Sequence, residues 1–274
     1  MNARAIGAVV WKDLKVVSQN KGLMLPSIIL PLVMFAILPW AVVQLPLLFE
    51  SSGVAGDILN DVKWLIDLMT TGNQQEFAAY DQYQRWILYL LVYLMAPLFL
   101  ILPLIVSGTI AADSFAGEKE RKTMEALLYT PTTDRELFVA KLLSSWLAAF
   151  AVALVGFALY AIMVNGAAWS EMHRVFFPNA MWLVLMFWVV PAVPGLGLGV
   201  MVLVSARAQG FQDATQMGSF IVLPVMMLAA GLISGVMSFS VAVMFLVGLI
   251  IWLLDGVLIW LGSRCFRRGR LLGA

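Results

Sequence analysis

Long uncharged runs alternate with short charged ones along this chain. Gly22–Phe49, Trp86–Ala112, Leu142–Val164, Val175–Ala206 and Ala214–Leu254 hold no Asp, Glu, Lys or Arg. A helix needs about 20 apolar residues to cross the hydrocarbon core of a bilayer, and each run reaches that length. The last is too long for one crossing. Its 41 residues would make a helix about 62 Å long at 1.5 Å per residue, against a core of about 30 Å. It must fold back, and Ser234, Gly235, Ser238 and Ser240 mark the turn. The pattern predicts six transmembrane helices, near 23–47, 86–112, 139–164, 178–204, 214–233 and 241–262.

Ahead of them, Ile6, Val9, Val10, Leu14 and Val17 recur at helical spacing, with Lys12, Lys15, Ser18 and Gln19 mostly elsewhere. Residues 1–21 are expected to form an amphipathic helix lying in the membrane interface. The first span carries Pro26, Pro31, Pro39 and Pro46. Proline removes a backbone donor and bends a helix, which membrane helices tolerate where neighbours occupy the freed carbonyls. Residues 48–85 are polar and read as an external loop with one or two short helices. Aromatic residues open the second span (Trp86, Tyr89, Tyr93) and the fourth (Phe176, Phe177, Trp182), as at a membrane boundary.

Lysine and arginine orient the bundle. Of the 17, only Lys63, Arg85 and Arg174 fall on the side of the 48–85 loop. The others lie in the N-terminal arm, the charged loop after span two, the short 207–213 connection and the basic tail. The positive-inside rule then places both termini in the cytoplasm. Five spans would export Arg264, Arg267, Arg268 and Arg270 with the tail.

Composition agrees with a membrane domain. Hydrophobic residues make up 62% of the chain, against about 45–50% in a soluble domain, and the mean hydropathy is +0.93. The fold expected is one all-α polytopic domain covering 1–274. Cys265 is the single cysteine and His173 the single histidine, so an internal disulfide, a Cys-rich metal site and a histidine cluster are excluded. No cleavable signal peptide is evident. The net charge of +1 gives no reason to expect nucleic acid as a partner.

Several enzyme classes lack their parts. There is no G-x-x-x-x-G-K-[ST] phosphate loop, no H-E-x-x-H zinc motif and no G-x-S-x-G elbow. Gly195-Leu-Gly197-Leu-Gly199 lacks dinucleotide-site spacing and lies within a span, where small residues serve close helix packing. Asp255 sits inside the last apolar run, where an acid costs roughly 2.5–3.5 kcal/mol at mid-bilayer. It is either a pore or ion contact, or a residue paired across a helix interface or close to the boundary. Gln44 and Gln216 are weaker candidates for lining a pore, since helix–helix hydrogen bonds explain them equally well.

One stretch concentrates charge. Asp113–Lys141 carries a third of the Asp, Glu, Lys and Arg residues between two apolar runs. Gly117–Lys122 is read as the opening of a helix, with Glu118 and Lys122 four apart in the favourable order. Met124, Leu127 and Leu128 give it an apolar edge, and Pro131 ends it. Thr133-Asp-Arg-Glu136 has capping-box spacing. Residues 113–138 therefore read as a short amphipathic helix, a proline stop and a capped re-entry into span three. The physics leaves a solvated charged face and a docking surface both open.

The stretch Ala112-Asp-Ser-Phe-Ala-Gly-Glu-Lys-Glu-Arg-Lys-Thr-Met-Glu-Ala-Leu-Leu-Tyr-Thr-Pro131, with Asp134-Arg-Glu-Leu and Lys141-Leu, resembles the first cytoplasmic loop of ABC-2 type permeases. These are membrane subunits of ATP-binding-cassette exporters. Val204-Ser-Ala-Arg-Ala-Gln-Gly-Phe-Gln-Asp-Ala214 is similar, less closely, to the family's connection between spans four and five. The resemblance implies a prokaryotic inner-membrane protein in which two permease chains form the pore. Two copies of a separate ATPase subunit, carrying ATP and Mg, would dock below. This chain would be non-catalytic and hold no cofactor. Gly117–Tyr129 would be the coupling helix, with Gly117, Glu118, Glu120, Arg121 and Glu125 at polar contacts and Met124 and Leu128 in an apolar slot. Spans one, two and five would face the translocation path. The cargo would be an amphipathic drug, a lipid or sodium. The modest 48–85 loop departs from larger relatives that carry an added domain there. A non-transporting anchor or sensor recruiting a cytoplasmic partner through 113–141 is the alternative, and an intramembrane enzyme ranks last for want of a second acid.

Overall fold

The computed structural model describes residues 2–48, 54–67, 71–123, 132–205, 207–208, 210–233 and 240–265. These are helical almost throughout, with no strand among them. Among the described residues, five helices are long and apolar enough to cross a membrane: Ile28–Pro46, Gln82–Glu120, Asp134–Ala167, Ala180–Ser205 and Val241–Ser263. The N-terminal helix Ala3–Gln19 packs beside the start of the third of these, burying Val10 and Asp13. Between the first and second lie two further helices, Val54–Asp67 and Thr71–Ala78.

The run expected to supply the remaining span, 214–233, is not among the five. It is helical but broken: Phe211–Gly218 passes through a 3-10 turn, Ser219–Ile221, into Val222–Ile233. Its first turns are polar. The Thr215 hydroxyl donates to the Phe211 carbonyl at 2.8 Å and the Ser219 hydroxyl to the Gln216 carbonyl at 2.6 Å. Such local bonds compete with regular helical winding.

Proline and π-type winding interrupt the helices, and neighbours take up the carbonyls they free. Pro46 has no N–H to offer the Val42 carbonyl, which accepts instead from Trp86 Nε1 at 3.0 Å. The Tyr83 hydroxyl donates to the next carbonyl, Val43. In the π turn Tyr89–Leu94, the Val92 carbonyl stands five residues before Pro97 and accepts from Trp182 Nε1 at 2.8 Å. Tyr160 donates to Leu91 O at 2.5 Å. These donors belong to an aromatic core. Trp182, Tyr160, Phe35, Phe99 and Phe177 are fully buried, with ring centroids 4.8–5.6 Å apart in six contacting pairs. The hydrogen bonds fix ring orientation, and the rings fill the space between the first four spans.

The fourth and last spans meet through Gly195 and Gly199, while Gly197 between them faces Ser107 of the second span. A Cβ at Gly195 would lie 2.3 Å from Asp255 Oδ2, and one at Gly199 would lie 2.6 Å from Leu258 Cβ. Close packing, not nucleotide binding, accounts for this motif. Gly199→Ala forces a core contact apart and is expected to cost about 1–3 kcal/mol. Gly256→Ala, with open space around it, leaves thermal unfolding of the detergent-solubilised protein unchanged. Equal melting temperatures for the two variants would contradict the close seam.

Candidate functional site

The charged loop begins as the end of the second span, not as a separate helix. Helix Ile101–Ala112 runs through a π turn, Asp113–Gly117, into Glu118–Glu120. It stops at Lys122, whose φ of 57° is left-handed, the conformation that commonly terminates a helix. Gly117–Lys122 therefore closes a helix where the sequence suggested an opening one. The Thr133–Glu136 capping box is present in both directions, at 3.3 and 2.9 Å. Its second carboxylate oxygen also accepts from the Asn2 backbone N–H at 2.5 Å, which ties the start of the chain to the start of the third span.

Three elements meet at Lys141. This residue is fully buried. Its Nζ donates to Glu118 Oε2 at 2.5 Å, to the Ser114 carbonyl at 2.6 Å and to Ser114 Oγ at 3.1 Å. The Phe115 ring centroid lies 5.5 Å away. The other Glu118 oxygen accepts from Lys12 Nζ at 2.8 Å. Lys12 also pairs with Asp13 at 3.1 Å, and Ser144 Oγ donates to Asp13 Oδ2 at 3.4 Å. Burial works against the Lys12 charge, but the hydrogen bond and charge of Glu118, aided by Asp13, hold its ammonium above the ordinary lysine range. The N-terminal helix and the second and third spans are thus joined by one chain of charges.

Beside this network stands a second pair. Arg121 donates to Asp113 Oδ1 at 2.9 Å, and this hydrogen bond raises the guanidinium above its usual value against a smaller opposing effect of burial. Gly117 makes room for the pair. A Cβ there would lie 2.9 Å from Asp113 Oδ1 and 3.2 Å from Arg121 Nη1. Glu120 turns away and accepts from the Phe211 backbone N–H at 2.9 Å. A cavity of about 960 Å³ opens here, lined in part by Asn20, Asp113, Glu120, Arg121, Asp213 and Gln216.

The candidates from sequence separate accordingly. Gly117, Glu118, Glu120 and Arg121 come together at one end of the bundle. Glu118, expected on a docking face, is 7% exposed and spent on two lysines. Charge reversal there tests the fold and not docking. Met124, Glu125 and Leu128 lie outside the described residues. Gln216 is exposed and lines the cavity, while Gln44 is half-buried in the first span. Asp255 is 3% exposed, and neither carboxylate oxygen has a hydrogen-bond partner. It faces Gly195 and does not line the cavity. Lys12, Asp13, Asp113 and Lys141 are not among the site residues expected from sequence, although Asp113 and Lys141 lie in the stretch that carries the family resemblance. Their signal was available: each is a charge at the edge of an apolar stretch.

Removing one partner of a buried ion pair strands the other, at a cost of about 3–5 kcal/mol. Lys141→Ala is expected to destabilise on that scale. Lys12, whose side chain is 43% exposed, matters much less. Lys141→Met combined with Glu118→Gln recovers part of the loss seen in Lys141→Met alone. Thermal unfolding of the four variants checks this, and equal losses for Lys141→Ala and Lys12→Ala would refute the network.

The family model described as ABC-2 family transporter protein matches residues 7–251, which takes in most of the N-terminal helix, the loop, the first four apolar helices and the first half of the last. The chain is also similar to the ABC transporter permease protein NatB of Bacillus subtilis (strain 168), with 41% identity over 92 residues. That match covers 31% of this chain and 23% of NatB. The chain is a multi-pass membrane protein and belongs to the ABC-2 family of transporter proteins.

Proposed function

We propose that this chain is the transmembrane permease subunit of an ABC exporter, driven by ATP hydrolysis on a separate ATPase subunit. The observation that carries the reading is the Lys12–Glu118–Lys141 network. It fastens the stretch that resembles the family's coupling loop to the N-terminal helix and to two spans at once. A push on the loop reaches three elements together, which a flexible recruiting tether would not achieve. The non-transporting anchor needs no such fastening.

In this reading the loop end faces the cytoplasm, and both termini lie there. Two such chains form the pore, and the broken segment 211–233 completes six crossings in each. Two ATPase subunits, holding ATP and Mg, seat the 117–129 segment. Met124 and Leu128 fill an apolar slot, with Glu125 at its polar edge. Glu118 serves to position the loop. The cavity beside Asn20, Asp113 and Gln216 opens among the residues just ahead of the first span, the loop end of the second span and the helix Phe211–Gly218, at the cytoplasmic end of the elements assigned to the transport path. Its volume falls in the range of about 300–1,000 Å³ usual for pockets that take drug-sized molecules, and its charged and amide side chains would meet the polar part of an amphipathic cargo.

Met124→Asp with Leu128→Asp is expected to leave membrane insertion and thermal unfolding unchanged while the ATPase no longer co-purifies. Reconstituted with that ATPase in vesicles, the native chain moves its cargo on ATP addition. ATPase binding without any flux would favour the anchor.

A further inference from the structure

Consecutive charges of the loop hold different bodies. Arg121 reaches back to Asp113 within the second span. Glu120 reaches across to Phe211, the first residue of Phe211–Gly218, 91 positions later in the chain. That helix has Gly210 as its N-cap, and no side-chain cap bond comes from it. The first N–H groups of a helix have no partner inside it and carry the positive end of its dipole. Glu120 supplies both the acceptor and the negative charge. The fit is close, since a Cβ on Gly210 would sit 2.6 Å from Glu120 Oε2.

This contact differs in kind from the one made two residues earlier. Glu118 is buried between two lysines, whereas Glu120 is exposed. Water can replace an exposed acceptor, so opening the Glu120 bond costs less than opening the buried Glu118 pairs. The loop end of the second span contributes Glu120, Arg121 and Asp113 to the lining of the 960 Å³ cavity, and the helix Phe211–Gly218 contributes Phe211, Asp213 and Gln216. The Glu120–Phe211 bond joins these two elements at the cavity.

We propose that Glu120 is a positioning residue, a latch that holds the helix Phe211–Gly218 to the loop and releases it during the transport cycle, so that one wall of the cavity moves when the loop does. This rests on the coupling reading given above. It adds a second output from the loop. The buried network drives the second and third spans, and the latch drives the segment after the fourth.

The test uses the native complex with its co-purifying ATPase, in a Cys265→Ser background carrying Glu120→Cys and Gly210→Cys. A short bis-methanethiosulfonate, which joins the two cysteines through disulfides that a reductant reopens, is applied without nucleotide and after trapping with ATP and vanadate. The cross-linking rates are expected to differ by about tenfold or more, the size of an ordinary coupling between sites, and the cross-link is expected to stop transport until it is reduced. Equal rates in the two states, or full transport by the cross-linked complex, would overturn the latch. Glu120→Ala gives an independent readout. It is expected to lower transport several-fold with ATPase co-purification intact, while Glu120→Gln, which keeps an acceptor oxygen, restores most of it. Wild-type transport by Glu120→Ala also overturns the proposal. If no ATPase associates with the native chain, the coupling reading itself falls, an outcome distinct from an assembled complex whose cross-linking ignores nucleotide.

Discussion

A fully buried ammonium cannot stand alone. Taking a charge out of water costs several kcal/mol even after relaxation, so Lys141 obliges other groups to come to it. Glu118 and Ser114 do so from the end of the second span. Glu118 in turn brings Lys12, and Lys12 and Ser144 hold Asp13. The N-terminal helix, the end of the second span and the start of the third are therefore fixed relative to one another by electrostatics. Apolar packing could slide along these faces. A lysine with one carboxylate to meet fixes the register.

The opposite problem governs the middle of the bundle, where no charge helps. There the constraint is the peptide group, because an unpaired carbonyl in hydrocarbon has no water to turn to. Prolines and π turns create such carbonyls, and the chain answers with indole and phenol donors. Trp86 serves Val42, Trp182 serves Val92 and Tyr160 serves Leu91. The aromatic residues that read as a boundary belt are in part these donors. Trp86, Tyr89 and Trp182 are all buried, and their apolar bodies fill the core while the polar tips of Trp86 and Trp182 repair the backbone.

Much of this was legible because it depends on local pattern. Uncharged runs found the long helices, Thr133–Glu136 gave a real capping box, and the 195–199 glycines gave a real packing seam. The second span outran its expected end because apolarity stops at Ala112, whereas helical winding continues to Glu120. Charge marks where hydrocarbon ends, and backbone geometry marks where a helix ends. The 214–233 run was legible as apolar, but the 3-10 turn at Ser219–Ile221 that interrupts its winding is not a matter of hydropathy. The largest difference lies in the loop. Glu118 in sequence is one acid in a charged row, and periodicity pairs it with Lys122. Its actual partners are 106 and 23 residues away, and only the assembled fold brings them together.

Rigidity and softness are then arranged in order along one helix. Gln82–Glu120 has 39 residues, about 58 Å at 1.5 Å per residue, nearly twice the hydrocarbon thickness of about 30 Å. Its far end is clamped through Glu118. Immediately before the clamp comes the π turn Asp113–Gly117, and deeper in come Pro103, Pro97 and the π turn Tyr89–Leu94. Single π turns within α-helices are places where an extra residue has been absorbed and winding can change. A force on the clamp reaches Asp113–Gly117 first, and the Asp113–Arg121 pair spans that turn. The pair therefore opposes unwinding at the one defect between the clamp and the membrane-buried part of the helix. In the coupling reading proposed above, displacement of the loop passes inward as tilt of a braced helix, where an unbraced π turn would absorb it.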